Sequence, residues 1–333
     1  MFKAGLDKIT GMLNSYKYKN SKFLYNVKSL ARYYTPKFFL RGRLRAMLGA
    51  LKDYDKKEIC DRVNYYCRLE EKTALPETAV KLADFKYKKR KGQSSLTAYF
   101  FDTYEYVRYF AGGLKICHDF GDVTQTPPWP AIVKSRPIGA LNANAVLLNL
   151  DKLRHFTFIE DKKDFKDKKD MLVGRGAVYQ PHRVKFWEMY FNHPLCDLGH
   201  CGIDARRKEW VKKFMSIGRH LDYKFILCLE GNDVATNLKW VMSSNSVAVM
   251  PRPKYETWFM EGRLIPGRHY IEISPDFTDL EEKLNYYIAR PDEAQKISQN
   301  AQAYVAQFRD KKKEDLISLL VLQKYFKMTG QQP

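Results

Sequence analysis

Two short apolar runs, residues 224–229 and 246–250, carry no internal polar alternation. Runs of that length and texture predict strands buried on both faces, as in a parallel sheet. Between them, Val234, Leu238 and Val241 share one face of a helix predicted over residues 234–242. Strand, helix and strand make a βαβ unit. Its polar turn, Glu230-Gly231-Asn232-Asp233, lies where such units bind ligands, beyond the first strand and at the helix N-terminus. Free N–H groups and the helix dipole favour an anion there, and Gly231 allows close approach of a phosphate. The same pattern also occurs in βαβ units that bind nothing.

The alternation extends to both sides. Residues 170–173 and 269–273 predict further strands, and residues 183–191 a helix. Thr278 and Glu281 form a capping-box pattern, which starts a helix running to about residue 289. Pro291 suits the first turn of another helix toward residue 308, and an amphipathic helix over 314–326 ends the chain. Upstream, helices are predicted at 55–71 and 104–112, and strands at 114–117 and 131–134. The polar residues 118–124 and the proline-rich Pro127-Pro128-Trp129-Pro130 separate those two strands, and the prolines make that connection a loop. Alternating elements of this kind predict an α/β fold, with parallel sheets covered by helices. A length of 333 residues with 45% hydrophobic content predicts two domains. Their expected bounds are 1–165 and 166–310, with 311–333 a helix packing back on the first domain. The charged run 160–170 reads as the linker, or equally as a loop within one domain.

Charge adds a partner class. The net charge is +20, and residues 1–50 hold eleven Lys or Arg, nine aromatics and one acid, Asp7. Such a segment suits acidic lipid headgroups or nucleic acid, the plain alternative being a solvated basic surface. No zinc-finger spacing, ribonucleoprotein motif or repeat accompanies it, so nucleic acid is not the expected partner. Apolar runs such as 316–322 fall far short of the roughly 18 residues of a membrane span. With no signal-peptide pattern and no CxxC pair among six cysteines, a reducing, cytoplasmic setting is expected. Cys228 falls in a predicted buried strand, where a thiol acts as a small hydrophobe. His193, Cys196, His200 and Cys201 match no common zinc spacing, so no metal is expected.

Residues 223–231, continuing to Lys239, resemble glycosyltransferase family 90, which groups bacterial lipopolysaccharide glycosyltransferases, fungal capsule-associated proteins and animal protein O-glucosyltransferases. Residues 264–270, 279–283 and 294–297 are similar to further family blocks, as are 119–137 and 174–176. The resemblance covers about residues 114–310. It implies a GT-B architecture, two Rossmann-like domains facing a cleft, with a UDP-sugar held mainly by the C-terminal one. It also implies inversion at the anomeric centre, with no cofactor and no metal required. Inversion in one displacement needs a carboxylate to take the acceptor proton and positive groups to stabilise the departing diphosphate.

The family's pattern for the base is an acid followed by an aromatic, with valine four positions on. Asp119, Phe120 and Val123 match it. Asp122, three residues later, is the second candidate, and either aspartate also fits a turn cap. Arg175 between Gly174 and Gly176 looks like the family's arginine-glycine block, suited to bidentate phosphate pairing, with Arg183 beside it. Where the family often has serine, arginine and lysine at four, six and eight residues after the central glycine, this chain has Ala235, Asn237 and Lys239. The resemblance therefore implies a donor wall of Glu230, Gly231, Asn232 and Asn237, with charge from Lys239 and Arg175. Glu256 would accept from a ribose or sugar hydroxyl, or is a surface glutamate. Lys134, Ser135 and Arg136 would line the cleft toward donor or acceptor, or end a surface strand.

The function expected is transfer of a hexose, glucose or galactose, from a UDP-sugar to the lipopolysaccharide or lipo-oligosaccharide core. The enzyme would be peripheral on the inner face of the inner membrane, with its basic aromatic segment on the anionic surface. Protein O-glycosyl transfer and non-catalytic nucleic-acid binding are the rival readings.

Overall fold

The apolar runs of the C-terminal half become the central strands of a five-stranded sheet. The computed structural model describes residue 18 and residues 20–40, 42–87, 96–139, 141–202 and 207–333. Its principal helices are α1 (Lys22–Tyr34), α2 (Arg43–Gly49), α3 (Lys56–Tyr66), α4 (Leu96–Val107), α5 (Pro181–Tyr190), α6 (Leu238–Met242), α7 (Leu280–Ala289), α8 (Pro291–Ala306) and α9 (Lys311–Met328). The strands are β1 (Val80–Lys81), β2 (Lys115–Ile116), β3 (His118–Asp119), β4 (Ala131–Val133), β5 (Ser135–Pro137), β6 (Ala145–Leu147), β7 (Lys169–Gly176), β8 (Cys196–His200), β9 (Tyr223–Leu227), β10 (Val247–Met250), β11 (Tyr255–Thr257) and β12 (Ile271–Glu272). The chain divides into two compact units. One comprises Met1–Asn20, His155–Pro253 and Arg263–Gln307; the other comprises Ser21–Arg154, Lys254–Gly262 and Phe308–Pro333.

The first unit is built on a parallel sheet of order β12-β10-β9-β7-β8. Its inward side chains, among them Leu172, Leu198, Phe225, Val247 and Ile271, pack with Phe186 of α5, Leu284 of α7 and Ile297 of α8. Burial on both faces explains why β9 and β10 read as unbroken apolar runs. Counted in chain order the strands lie 2-1-3-4-5, so the winding reverses between β7 and β9. In such sheets ligands bind at that reversal, beyond the carboxyl ends of the two strands.

Three local expectations change in this unit. Helix α6 begins at Leu238 instead of 234, because the polar turn continues until Asn237 Nδ2 closes it on the Leu227 carbonyl at 2.9 Å. Thr278 does not cap α7; its hydroxyl bonds Asp276 at 3.0 Å, and Asp279 stands at the N-cap. The charged run 160–170 lies inside this unit and does not link the two. Lys168 and Asp161, both buried, pair at 2.8 Å; Asp161 also accepts from Asn245 N at 3.0 Å, and Lys163 pairs with Asp222 at 3.0 Å. Opposite charges within the run and nearby thus find partners instead of water, and the chain crosses between units at residues 154 and 155.

The second unit is mainly helical. It holds a three-stranded parallel sheet, β3-β4-β6, and two antiparallel pairs, β1-β2 and β5-β11. Its sheet is narrower than that of a Rossmann-like domain. Helix α9 packs on α2, α3 and α4. A buried polar cluster ties the C-terminal helix in: Arg62 of α3 pairs with Glu314 of α9 at 2.5 Å and also bonds Tyr66, while Trp258 Nε1 donates to Glu314 at 2.5 Å. The Tyr66 and Trp258 rings stack at 3.8 Å.

Candidate active site

At the reversal between β7 and β9, the segment after β7 enters α5 with Pro181 in its first turn, and the segment after β9 is the polar turn 230–233. Arg183 binds both segments. Its Nη1 donates to the Ala177 carbonyl at 2.9 Å, Nη2 to Leu229 at 2.7 Å and Nε to Glu230 at 2.8 Å. His182 Nε2 lies 2.9 Å from the Glu230 carbonyl, and Gln180 Nε2 donates to Asn232 Oδ1 at 3.2 Å. Arg183 makes no ion pair among the described residues, and burial pulls its guanidinium pKa down. A largely buried cation satisfied by carbonyls alone leaves positive charge uncompensated at the carboxyl ends of two parallel strands. The N-terminus of α5 adds its dipole. The arrangement favours an anion.

The other residues expected on the donor side have different surroundings. Arg175 lies within β7, and its side chain, only 7% exposed, turns to β8. There Nη1 donates to the Asp197 carbonyl at 2.6 Å and Nη2 to the Asp197 carboxylate at 2.7 Å. Burial opposes ionisation of Asp197, but bonds from Tyr223, Arg175 and Lys212 outweigh it and hold its pKa at about 2. Gly199 makes room for the crossing guanidinium, since a Cβ there would lie 3.0 Å from Arg175 Nε and 2.7 Å from Lys212 Cβ. Gly174 is needed for packing, as its Cβ would meet Leu198 at 2.9 Å. Gly176 and Gly231 each leave 3.7 Å between an added Cβ and the Arg183 guanidinium. Asn237 is occupied by the Leu227 carbonyl, and Lys239 is fully buried in α6.

Two groups at this edge were not expected from the sequence. His182 and Gln180, immediately after β7, fasten the two turns together. His200, the last residue of β8 and fully buried, accepts from Val178 N at 3.1 Å through Nδ1, and its Nε2 has no hydrogen-bond partner among the described residues. For Gln180 and His182 the signal available in the sequence was position alone, between the strand expected at 170–173 and the helix expected at 183–191; no strand was expected at His200.

In the second unit, Asp119 ends β3, whose register sets Asp119 beside Val133 of β4. The aspartate is exposed and makes no hydrogen bond or ion pair among the described residues. On either side of it, His118 and Phe120 stack on each other at 4.2 Å, and Tyr99 stacks on Phe120 at 5.8 Å. Asp122 differs, because buried Lys134 pairs with it at 2.7 Å. Ser135 is also buried and bonds the backbone of Val123. Arg136 is fully buried, paired with Glu256 at 2.7 Å and donating to the carbonyls of Tyr65, Tyr66 and Ala145. Glu256 therefore belongs to this unit, and its carboxylate serves Arg136, Arg68 and Tyr65. The sequence-expected residues thus form two sets: 174–176, 183 and 230–239 in one unit, and 119, 122, 134–136 and 256 in the other. Among the described residues no group of His, Cys, Asp or Glu forms a metal set, and all six cysteines are free.

Residues 178–333 match the sequence model of glycosyl transferase family 90. The chain is 46% identical over 268 residues to O-glucosyltransferase LpsA of Dichelobacter nodosus, covering 80% of this chain and 82% of that protein. It is 26% identical over 165 residues to Protein O-glucosyltransferase 3 of Homo sapiens, covering 48% of this chain and 32% of the human protein. The α/β fold and these matches define a glycosyltransferase. The chain belongs to glycosyltransferase family 90. The matched region includes the blocks at 223–239, 264–270, 279–283 and 294–297; the blocks at 119–137 and 174–176 lie outside it.

Proposed function

We propose that the protein transfers glucose from a UDP-sugar to the core oligosaccharide of lipopolysaccharide, with inversion. The observation that carries the donor assignment is Arg183, a partly buried guanidinium paired with no carboxylate among the described residues, at the reversal of a parallel sheet. Glucose is the sugar in the names of both relatives. The acceptor follows the bacterial relative, which matches over most of its length, in preference to the human protein, which matches over a third.

In the proposed step, an acceptor hydroxyl attacks the anomeric carbon, its proton passes to the Asp119 carboxylate, and the bond from that carbon to the diphosphate breaks as UDP departs. Asp119 is favoured over Asp122 because Lys134 already neutralises Asp122. Arg183 and the N-terminus of α5 stabilise the negative charge that develops on the diphosphate. This is a GT-B division of labour, with one unit holding the donor and the other carrying the base. No metal or cofactor is assigned a role. The acceptor is borne by a membrane, so the reaction is placed at the cytoplasmic surface of the inner membrane; among the described residues no helix is long and apolar enough to cross one.

The test is release of UDP from a panel of UDP-sugars, with truncated lipo-oligosaccharide or a folded protein domain as acceptor. Turnover of UDP-glucose with the oligosaccharide supports the reading. Turnover with the protein alone would move the acceptor to the class named for the human relative. If neither UDP nor any UDP-sugar raises the melting temperature or turns over, the donor assignment fails.

A further inference from the structure

Helix α1 is built with its polarity reversed. The face packed on α4 is the polar and aromatic one: Tyr25 donates to Asp102 at 2.9 Å and to the Ala98 carbonyl at 3.2 Å, and Arg32 pairs with Glu105 at 2.7 Å. Ser29 is buried on the same face, and Tyr33 packs against Tyr104 with ring centroids 5.0 Å apart. At 100° per residue these four positions fall together, and Phe23, Val27, Leu30 and Tyr34 fall opposite them. That opposite face is outside: Phe23 and Tyr34 are 74% exposed, Val27 48% and Leu30 43%, with Leu24 at 55% beside them. Just beyond the helix, the Phe38 and Phe39 rings lie with centroids 3.8 Å apart, tilted by 33°, and both residues are also more than half exposed.

A row of large apolar side chains facing outward over more than two turns of helix is not how a water-facing helix is built. Charge identifies what it meets. Lys22 and Lys28 are exposed on the flanks of the same helix, Arg43 and Arg45 are exposed on α2, and no acid occurs between Asp7 and Asp53. A second copy of the same surface would bring like charges together. Nucleic acid would suit the charge, but it offers nothing to Leu24, Val27 and Leu30, which have no aromatic face for a base to stack on. Only a bilayer surface with anionic headgroups takes both features, accepting the apolar row at the acyl boundary and the cations among the phosphates.

We propose that the outward face of α1, with Phe38 and Phe39, is the membrane-docking surface of the enzyme, inserted shallowly and flat into an anionic leaflet. It names the place where the proposed glycosyl transfer meets the membrane and rests on that reading only for the acceptor's location. Binding is measured without turnover, so the two fail separately.

The test is flotation of the full chain with vesicles of phosphatidylcholine alone and of phosphatidylcholine mixed with phosphatidylglycerol. The wild type is expected to float with the mixed vesicles and far less with the neutral ones. The variant F23S/V27S/L30S is expected to lose about tenfold or more of its partition, since its removed side chains supply much of the inserted apolar area. Its melting temperature and its turnover on a soluble truncated acceptor should stay close to wild-type values, because all three residues are exposed and none belongs to the buried core. Lys22→Glu/Lys28→Glu should abolish the preference for phosphatidylglycerol. The proposal is overturned if the serine variant floats like the wild type, or if the wild type ignores both vesicles. A wild-type dimer that the serine variant converts to monomer, or serine substitutions that remove RNA binding without affecting flotation, would overturn it in favour of those partners.

Discussion

Arg183→Met tests whether the guanidinium at the sheet reversal is only a brace or also a ligand group. Methionine keeps the aliphatic stem and removes three bonds, of 2.7, 2.8 and 2.9 Å, to Leu229, Glu230 and Ala177. Hydrogen bonds to a charged group contribute about 1.5–3 kcal/mol each, and water entering at the strand ends recovers most of the three. The variant should therefore fold with a loss of about 2–3 kcal/mol, read as a shift of the urea midpoint. For the ligand, one lost guanidinium–phosphate contact of about 1.5–3 kcal/mol corresponds to roughly a 10- to 150-fold rise in the Kd for UDP by titration calorimetry. Arg183→Lys keeps a charge without the fork and should fall between wild type and methionine. If the methionine variant is folded and binds UDP within about threefold of wild type, the diphosphate does not contact Arg183, and the donor site must be sought elsewhere on the sheet edge.

Asp119→Asn should lower transfer by about two or more orders of magnitude while leaving the Kd for UDP unchanged, and an active Asp119→Asn enzyme would pass the role to Asp122. Glu314→Ala strands the buried Arg62 guanidinium and should cost about 3–5 kcal/mol in denaturant unfolding; a loss below about 1 kcal/mol would mean that Arg62 is rehydrated. Asp197 has its folded pKa depressed from 3.8 to about 2, so its contribution is complete above about pH 4 and is lost as pH falls through 2. Asp197→Asn should accordingly flatten the acid limb of the stability curve over that window, and an unchanged limb would show that the Arg175, Lys212 and Tyr223 bonds are not coupled to folding.

Local chemistry made some of this legible in the sequence, and distant partners hid the rest. Residues 224–229 read correctly as a strand because burial on both faces leaves its mark in every residue of the run. Arg175 between two glycines resembled a family block suited to phosphate pairing; it lies inside β7, where Asp197 on the next strand pairs with it. A pairing between positions 22 apart in the chain has no local signature. The pairing of Glu256 was hidden for the same reason, since its partner Arg136 is 120 positions away. Arg183 was noticed but assigned a supporting place, because its three carbonyl partners come from backbone, which sequence does not distinguish. The aromatic, basic character of the N-terminal segment was plain from composition. Which face of α1 turns outward was not, because Asp102 and Glu105 decide it from α4.

The cluster joining Arg62, Tyr66, Trp258 and Glu314 also bears on how the chain is made. Arg62 waits for a carboxylate 252 residues downstream. At about 5–20 residues per second, the ribosome delivers that partner roughly 13–50 s later. The first 150 residues are thus synthesised long before their closing helix exists, whereas most of the parallel-sheet unit emerges as a nearly continuous stretch from His155 to Gln307. Order of synthesis and order of completion are therefore inverted: the C-terminal sheet can finish first, and the N-terminal unit must remain open until the last turn of α9 has left the ribosome.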